Sequence, residues 1–206
     1  MQYYLYLLLL VSLACPSRGA TIFSDFDPAN IAYQGGWGIY GTGNSLSPGA
    51  FKAQAMAFTP SFDAVLSKID VAMFWSSGTN SIKLTLNSDN SGVPGAVVAS
   101  WSLNNLPTFG FCCTAETVNA VSLISLTAGK QYWVVAAPGA SDTQAGWTNT
   151  NTLGVLAEQD TLNGPFISGT SVRSAFDVIG TETPEPSSFL LVAAGLALLA
   201  RRNASS

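Results

Sequence analysis

Through the middle of this chain, apolar residues recur at every second position in short runs, and a turn-forming cluster ends each run. Such a pattern builds strands and leaves no room for helices. Ile82-Lys83-Leu84-Thr85-Leu86-Asn87 alternates apolar and polar side chains, and Val97-Val98-Ala99-Ser100-Trp101-Ser102-Leu103 places Val97, Ala99, Trp101 and Leu103 on one face. Val71-Ala72-Met73-Phe74-Trp75 and Gln131-Tyr132-Trp133-Val134-Val135-Ala136 read as strands buried on both faces. Phe51–Phe58, Val121–Leu126, Gly154–Ala157 and Arg173–Ile179 are further candidates. Between them lie Ser77-Gly78-Thr79-Asn80, Asp89-Asn90-Ser91-Gly92-Val93-Pro94-Gly95, Ala128-Gly129-Lys130 and Asn163-Gly164-Pro165, each rich in turn formers. Roughly eight or nine strands at this spacing predict an all-β fold, an antiparallel β-sandwich of jelly-roll-like kind. No repeat of fixed period points to a solenoid or propeller.

The two ends are a different material, and they are set aside before the fold is considered. The start, Met-Gln-Tyr-Tyr-Leu-Tyr-Leu-Leu-Leu-Leu-Val-Ser-Leu-Ala-Cys, holds an apolar block over Leu5–Ala14. That is the length of a signal-peptide core and too short to span a bilayer. Cleavage after Gly19, with Ser17 at −3, fits the small residues that follow; cleavage after Ala14 is the alternative. The stretch before the block has no Lys or Arg, a departure from the usual pattern. Leu13-Ala14-Cys15 is half of a lipoprotein motif, with Ser12 where Leu is usual. Thus 1–19 reads as a signal peptide, 20–182 as an extracellular β domain and 183–206 as a tail.

That tail is the most informative stretch. Thr183-Pro184-Glu185-Pro186-Ser187-Ser188 runs into an apolar block ending at Ala200, followed by Arg201-Arg202. Pro184 and Pro186 cannot continue a strand ladder, so the folded domain should stop before them. A helix over 187–200 covers about 21 Å against a hydrocarbon core of about 30 Å, so crossing needs snorkelling arginines or a thinned bilayer. Arg201 and Arg202 should stay cytoplasmic, which puts the preceding domain outside. The signal peptide independently sends it there.

Pro184-Glu185-Pro186, a short apolar helix and a basic end together resemble the PEP-CTERM sorting signal of Gram-negative bacteria. The resemblance implies a partner, an exosortase-type membrane protease that cleaves near the motif and releases or transfers the protein. Proteins with this tail commonly serve biofilm or exopolysaccharide systems. The tail is sometimes labelled an ice-binding protein C-terminal domain, a label that says nothing about ice. From Phe51 to Trp147 the chain also resembles "choice-of-anchor" domains, through Ala55-Met56-Ala57-Phe58-Thr59, Leu86–Gly95 and Leu126–Trp133. That likeness implies a fold and no activity.

Charge and composition then exclude whole classes. Between the ends stand five basic residues (Lys52, Lys68, Lys83, Lys130 and Arg173) and eleven acids, a net charge of −6. An acidic domain with no basic cluster repels phosphate backbones, which argues against nucleic acid as a partner. The chain contains no His, so the usual base for a Ser or Cys nucleophile and the commonest zinc ligand are missing. A carboxylate pair for glycoside hydrolysis would have to come from Asp63, Asp70, Asp89, Glu116, Glu158 and Asp160, and no spacing singles out two of them. The reading is of no catalytic residue, no metal site and no cofactor. A structural calcium is kept as the minor reading of Asp89-Asn90-Ser91-Gly92 and Asp25-Phe26-Asp27, because a tight turn explains the former equally well.

Two groups of residues remain. Trp37, Tyr40, Phe109, Phe111 and Trp147 fall in apparent loops, and Gly35-Gly36-Trp37-Gly38-Ile39-Tyr40-Gly41 and Gly146-Trp147-Thr148-Asn149 have the look of a sugar-binding surface. Trp37 and Trp147 are the candidate glycan contacts, set against the commoner use of such rings as caps on the ends of a sandwich. Thr148, Thr150 and Thr152 alternate as in an ice-binding strand, but one strand is no flat array. Cys112 and Cys113 are the only cysteines left after signal removal. Their Cα atoms, about 3.8 Å apart, make a bond between them strained, while an oxidising exterior disfavours free thiols. A vicinal disulfide is favoured over free or intermolecular thiols.

The function that follows is a non-enzymatic one: an exported cell-surface or extracellular-matrix protein sorted through its tail, first anchored by the C-terminal helix. A carbohydrate-binding module for exopolysaccharide is the second reading, and a glycan-acting enzyme a distant third. The cysteine pair gives a direct test. Intact mass of the native protein should fall about 2 Da below that of the reduced form, with no dimer on a non-reducing gel; alkylation of both thiols without reductant would refute the bond.

Overall fold

The computed structural model describes residues 19–26, 35–110 and 115–183. The signal peptide, Cys112 and Cys113, Phe111, Asp27, the Pro184-Glu185-Pro186 motif, the helix over 187–200 and Arg201-Arg202 lie outside the described residues. Among those described there is no helix, and so none long and apolar enough to cross a membrane.

Thirteen strands follow one another: β1 (Ala20–Ser24), β2 (Gly36–Tyr40), β3 (Ala53–Phe58), β4 (Ala64–Val71), β5 (Met73–Ser77), β6 (Ser81–Asp89), β7 (Pro94–Asn104), β8 (Glu116–Asn119), β9 (Ser125–Leu126), β10 (Tyr132–Pro138), β11 (Gln144–Gln159), β12 (Ile167–Ser174) and β13 (Phe176–Glu182). All their pairings are antiparallel. The smaller sheet runs β1-β13-β4-β8, with β9 also on β4; the larger runs β12-β11-β3-β10-β6-β7, with β2 and β5 flanking the first half of β11. Both contribute to one apolar core. Leu66, Ile69, Phe176 and Val178 of the smaller sheet are buried with Met56, Ile82, Leu84, Leu86 and Val134 of the larger. Trp133 lies on the opposite face of the larger sheet, buried with Ala55, Ala57, Val135 and Ala157, and Phe166 packs onto that cluster.

Several strands differ from the sequence expectation, each for a local reason. Val71–Trp75 is two strands, because the chain passes from the smaller sheet to the larger at Ala72. Arg173–Ile179 divides in the same way at Ala175. Gly154–Ala157 is only the far end of the 16-residue β11, which also contains Trp147. A register shift between Leu86 and Asn87 leaves Val98 unpaired, so Val97 turns outward and is 57% exposed, while Leu103 keeps its place in the core. Val121 and Leu123 are exposed and outside any strand; β9 is a two-residue remnant there, and the polar Glu116–Asn119 forms the strand instead.

The two crossings are tied together. Ala72 N donates to Ala175 O (3.2 Å), Ala175 N to Thr148 O (2.8 Å) and Thr148 N to Ala72 O (3.0 Å), a closed ring of backbone bonds. Thr148 Oγ1 adds a bond to Ala72 O (2.9 Å), and the Trp147 indole N–H donates to Ala175 O (2.9 Å). A strand that leaves a sheet strands its own N–H and C=O groups, and buried orphans are costly. The ring satisfies them at both crossings at once.

Arg173 makes a second tie. Its guanidinium lies 4.6 Å from the Phe23 ring centroid and 5.7 Å from that of Phe176, and Nη2 donates to Ala57 O. Nε sits 2.7 Å from Asp25 Oδ2, without the alignment of a hydrogen bond, and the two side chains are 12% and 6% exposed. Gly154 makes the passage, since a Cβ there would meet Arg173 Cδ at 2.2 Å. Burial pushes the Asp25 carboxyl up from 3.8 to about 6, outweighing the attraction of Arg173. Burial raises Asp177 as well. A carboxyl raised on folding contributes stability that is full below its unfolded value and lost as pH rises through the folded one. The melting temperature should therefore climb as pH falls from about 7 to about 4.5, and Asp25→Asn should flatten that climb. A wild-type melting temperature that drops over this interval would contradict the placement of Asp25.

Candidate functional site

The acids singled out in the sequence are mostly occupied, and Glu158 and Asp160 come together on one lysine. Asp89 accepts bonds from the Trp133 indole and Gln131 Nε2 (both 2.8 Å) and from Gly92 N (3.2 Å). Burial pushes its carboxyl up, but these donors together hold it below the usual range. Ser91 and Gly92 both have positive φ (57° and 87°), as a two-residue hairpin of the type I′ kind requires. The Asp89–Gly92 stretch is therefore a hairpin whose acid anchors Trp133. Asp63 caps Ala128 N, Asp70 holds Lys68 and Thr117, and Glu158 and Asp160 share Lys52 at 2.6 and 2.8 Å. Glu116 lies on β8, opposite Val71. Among the described residues, no three His, Cys, Asp or Glu side chains are grouped to hold a metal.

The aromatic group changes most. Trp37 and Trp147 are not in loops; they lie directly opposite each other on β2 and β11. Trp147 is fully buried, its ring edge-on to Phe176 at 5.9 Å, and it offers no face to a sugar. Trp37 is half-buried against the core, and its indole donates to Val172 O at 2.8 Å. The Thr148-Thr150-Thr152 alternation is broken too. Thr148 is buried in the corner ring, and Thr150 turns its hydroxyl to the backbone N–H of Thr152.

The glycines beside these tryptophans point the other way. On β2, Trp37 and Ile39 face the core, so Gly36, Gly38 and Tyr40 face outward; on β11, Ala145 and Trp147 face in and Gly146 out. On β5, Met73 and Trp75 pack against the core, and Phe74 turns out beside Gly146. A Cβ on Gly146 would meet the Phe74 ring at 2.3 Å and one on Gly38 the Tyr40 ring at 2.9 Å, whereas one on Gly36 would first meet Trp147 O at 2.7 Å and then the Phe74 ring at 3.3 Å. Both rings thus lie down on bare backbone. Phe109 leans on Phe74, with centroids 5.0 Å apart and planes at 53°, and is itself 64% exposed. Ser77 and Gln144 join side chains beside them, Oγ to Oε1, at 2.8 Å. Phe74 is the residue the sequence reading missed, because it was counted inside a continuous buried strand. Breaking that run at Ala72 restores the alternation that turns Phe74 outward.

Residues 182–203 match the family described as the PEP-CTERM protein-sorting motif. No curated protein matches the chain.

The two tryptophans separate cleanly by stability. Trp147→Ala should cost about 3–5 kcal/mol, and Trp147→Phe, which keeps most of the ring but drops the bond to Ala175, about 1–3 kcal/mol. Trp37→Phe should cost less than Trp147→Ala, since its ring is already part-exposed. Chemical denaturation measures all three; an unperturbed Trp147→Ala protein would mean the corner is misplaced.

Proposed function

We propose that this protein is an exported cell-surface or extracellular-matrix component with a non-enzymatic, structural role, delivered by a PEP-CTERM and exosortase-type system. The single observation that carries the reading is the sorting motif matched at residues 182–203. It begins where the β domain ends: β13 closes at Glu182, and Thr183 N makes a last bond to Asp63 O at 2.9 Å. In this reading a protease acts on Pro184-Glu185-Pro186, beyond the last strand among the described residues. In the same reading, the apolar block over 187–200 holds the chain in the membrane until it is processed, with Arg201 and Arg202 on the cytoplasmic side. At the other end, β1 starts at Ala20, opposite Gly180, so cleavage after Gly19 would spare every strand pairing among the described residues. The domain between is proposed as a jelly-roll-like sandwich of the choice-of-anchor kind, with no cofactor.

Carbohydrate binding is the second reading. What favours it is the outward aromatic group of Tyr40, Phe74 and Phe109, in place of Trp37 and Trp147.

Mass spectrometry of surface protein should find a mature chain starting near Ala20 and ending between Pro184 and Pro186. Deleting residues 187–206 should send a folded domain to the medium, because the apolar core described above is built from residues between Ile22 and Val178. A full-length product confined to the cytoplasm would sink the export reading.

A further inference from the structure

We infer that the outward face of β2, β5 and the first half of β11 is a saccharide-binding surface, on which Tyr40, Phe74 and Phe109 stack neutral sugar rings beside Ser77 and Gln144. The site belongs to the second reading above and does not depend on how the protein is sorted.

Three independent features build it. First, the glycines at 38 and 146 leave the sheet bare where the Tyr40 and Phe74 rings rest. Glycine weakens a strand, so two on one outward patch cost stability, and here they seat rings outside the core. Second, Phe109 is held out in solvent by its backbone. Phe109 N donates to Trp75 O and Trp75 N to Pro107 O, both at 2.8 Å, so residues 107–109 run as an added rung along β5. A ring 64% exposed on a pinned backbone is pre-set for a partner and loses little entropy on binding. Third, the polar groups beside the rings are uncharged: the Ser77 hydroxyl and the Gln144 amide, joined at 2.8 Å, leave the amide N–H groups to donate.

The chemistry of that set selects the ligand. A sugar ring offers an apolar C–H face for an aromatic side chain and a rim of hydroxyls for amide and hydroxyl groups. The five residues are uncharged, and the neighbouring Asp142, packed against Gly78, adds only negative charge at the edge of the patch. The domain as a whole is acidic, at −6 between the two ends, so it repels anionic polymers and tolerates neutral ones.

Affinity electrophoresis tests this with the full-length chain in detergent micelles, run through gels holding a β-glucan, a mannan or dextran, with alginate as the anionic control. At least one neutral polymer should retard the wild-type chain, and alginate should not. Phe74→Ala and Phe109→Ala should each weaken binding about five- to tenfold, the loss expected for one stacked ring. Phe109→Ala should leave the melting temperature nearly unchanged, because its ring is outside the core, and Trp37→Phe should keep full binding. Absence of retardation by every neutral polymer overturns the proposal. So does a Phe109→Ala protein that binds like wild type, stronger retardation by alginate, or a wild-type dimer that Phe109→Ala dissolves. Export and tail cleavage of Phe109→Ala, followed by mass, should match wild type, so failure of the sugar site and failure of the sorting reading are told apart.

Discussion

The structure turns on a ring of three backbone hydrogen bonds among Ala72, Thr148 and Ala175. Two strands that begin in one sheet finish in the other, and both cross at the same corner. Each crossing residue loses its ladder partners inside a dry core, where an unpaired amide or carbonyl costs about 1–3 kcal/mol. Closing the ring through Thr148 removes that penalty. It also fixes where β4 ends and β5 begins, and where β12 gives way to β13. Both crossing residues are alanine and fully buried; a larger side chain would have to displace the packed elements around it.

Trp147 links this corner to both faces of the larger sheet. Its indole reaches Ala175 from the core side, while the residue before it, Gly146, opens the outer side to Phe74. The strict alternation of a strand makes one segment serve two purposes: Trp37, Ile39, Ala145 and Trp147 fill the interior, and Gly36, Gly38 and Gly146 bare the exterior. Arg173 acts similarly at the junction with β1. Asp25 lies against it as the counter-charge, its plane lies over Phe23 and Phe176, and Nη2 donates to Ala57 O. A buried pair of this kind locates the first strand more than it stabilises the fold, since desolvation offsets much of the attraction.

Function divides between two parts that make few demands on each other. The sorting motif lies at residues 182–203, read from the order of residues. The role proposed for the domain rests on its surface. The smaller sheet closes at Glu182 and Thr183, so its pairings among the described residues are complete before the sorting motif's prolines. The outward aromatic group lies on the other sheet, with Tyr40 on β2, Phe74 on β5 and Phe109 beside β5.

The sequence by itself determined the class of fold, the absence of helices among the described residues, most strand cores and the sorting tail. These rest on local signals: period-two alternation, turn residues at 91–92, and a proline-bounded apolar block. Tertiary structure alone decided that Val71–Trp75 and Arg173–Ile179 are each two strands, that Val97 faces out, and that Trp147 is buried. A sheet crossing leaves no mark in hydrophobic pattern, because residues on either side of it are buried in the same core. The bulge at Val98 likewise inverts a face without changing composition. For the same reason the candidate site was only half legible. Tyr40, Phe109 and the glycines could be picked out in the chain, but which side of the sheet each ring takes depends on register, and register is set by partners far away in sequence.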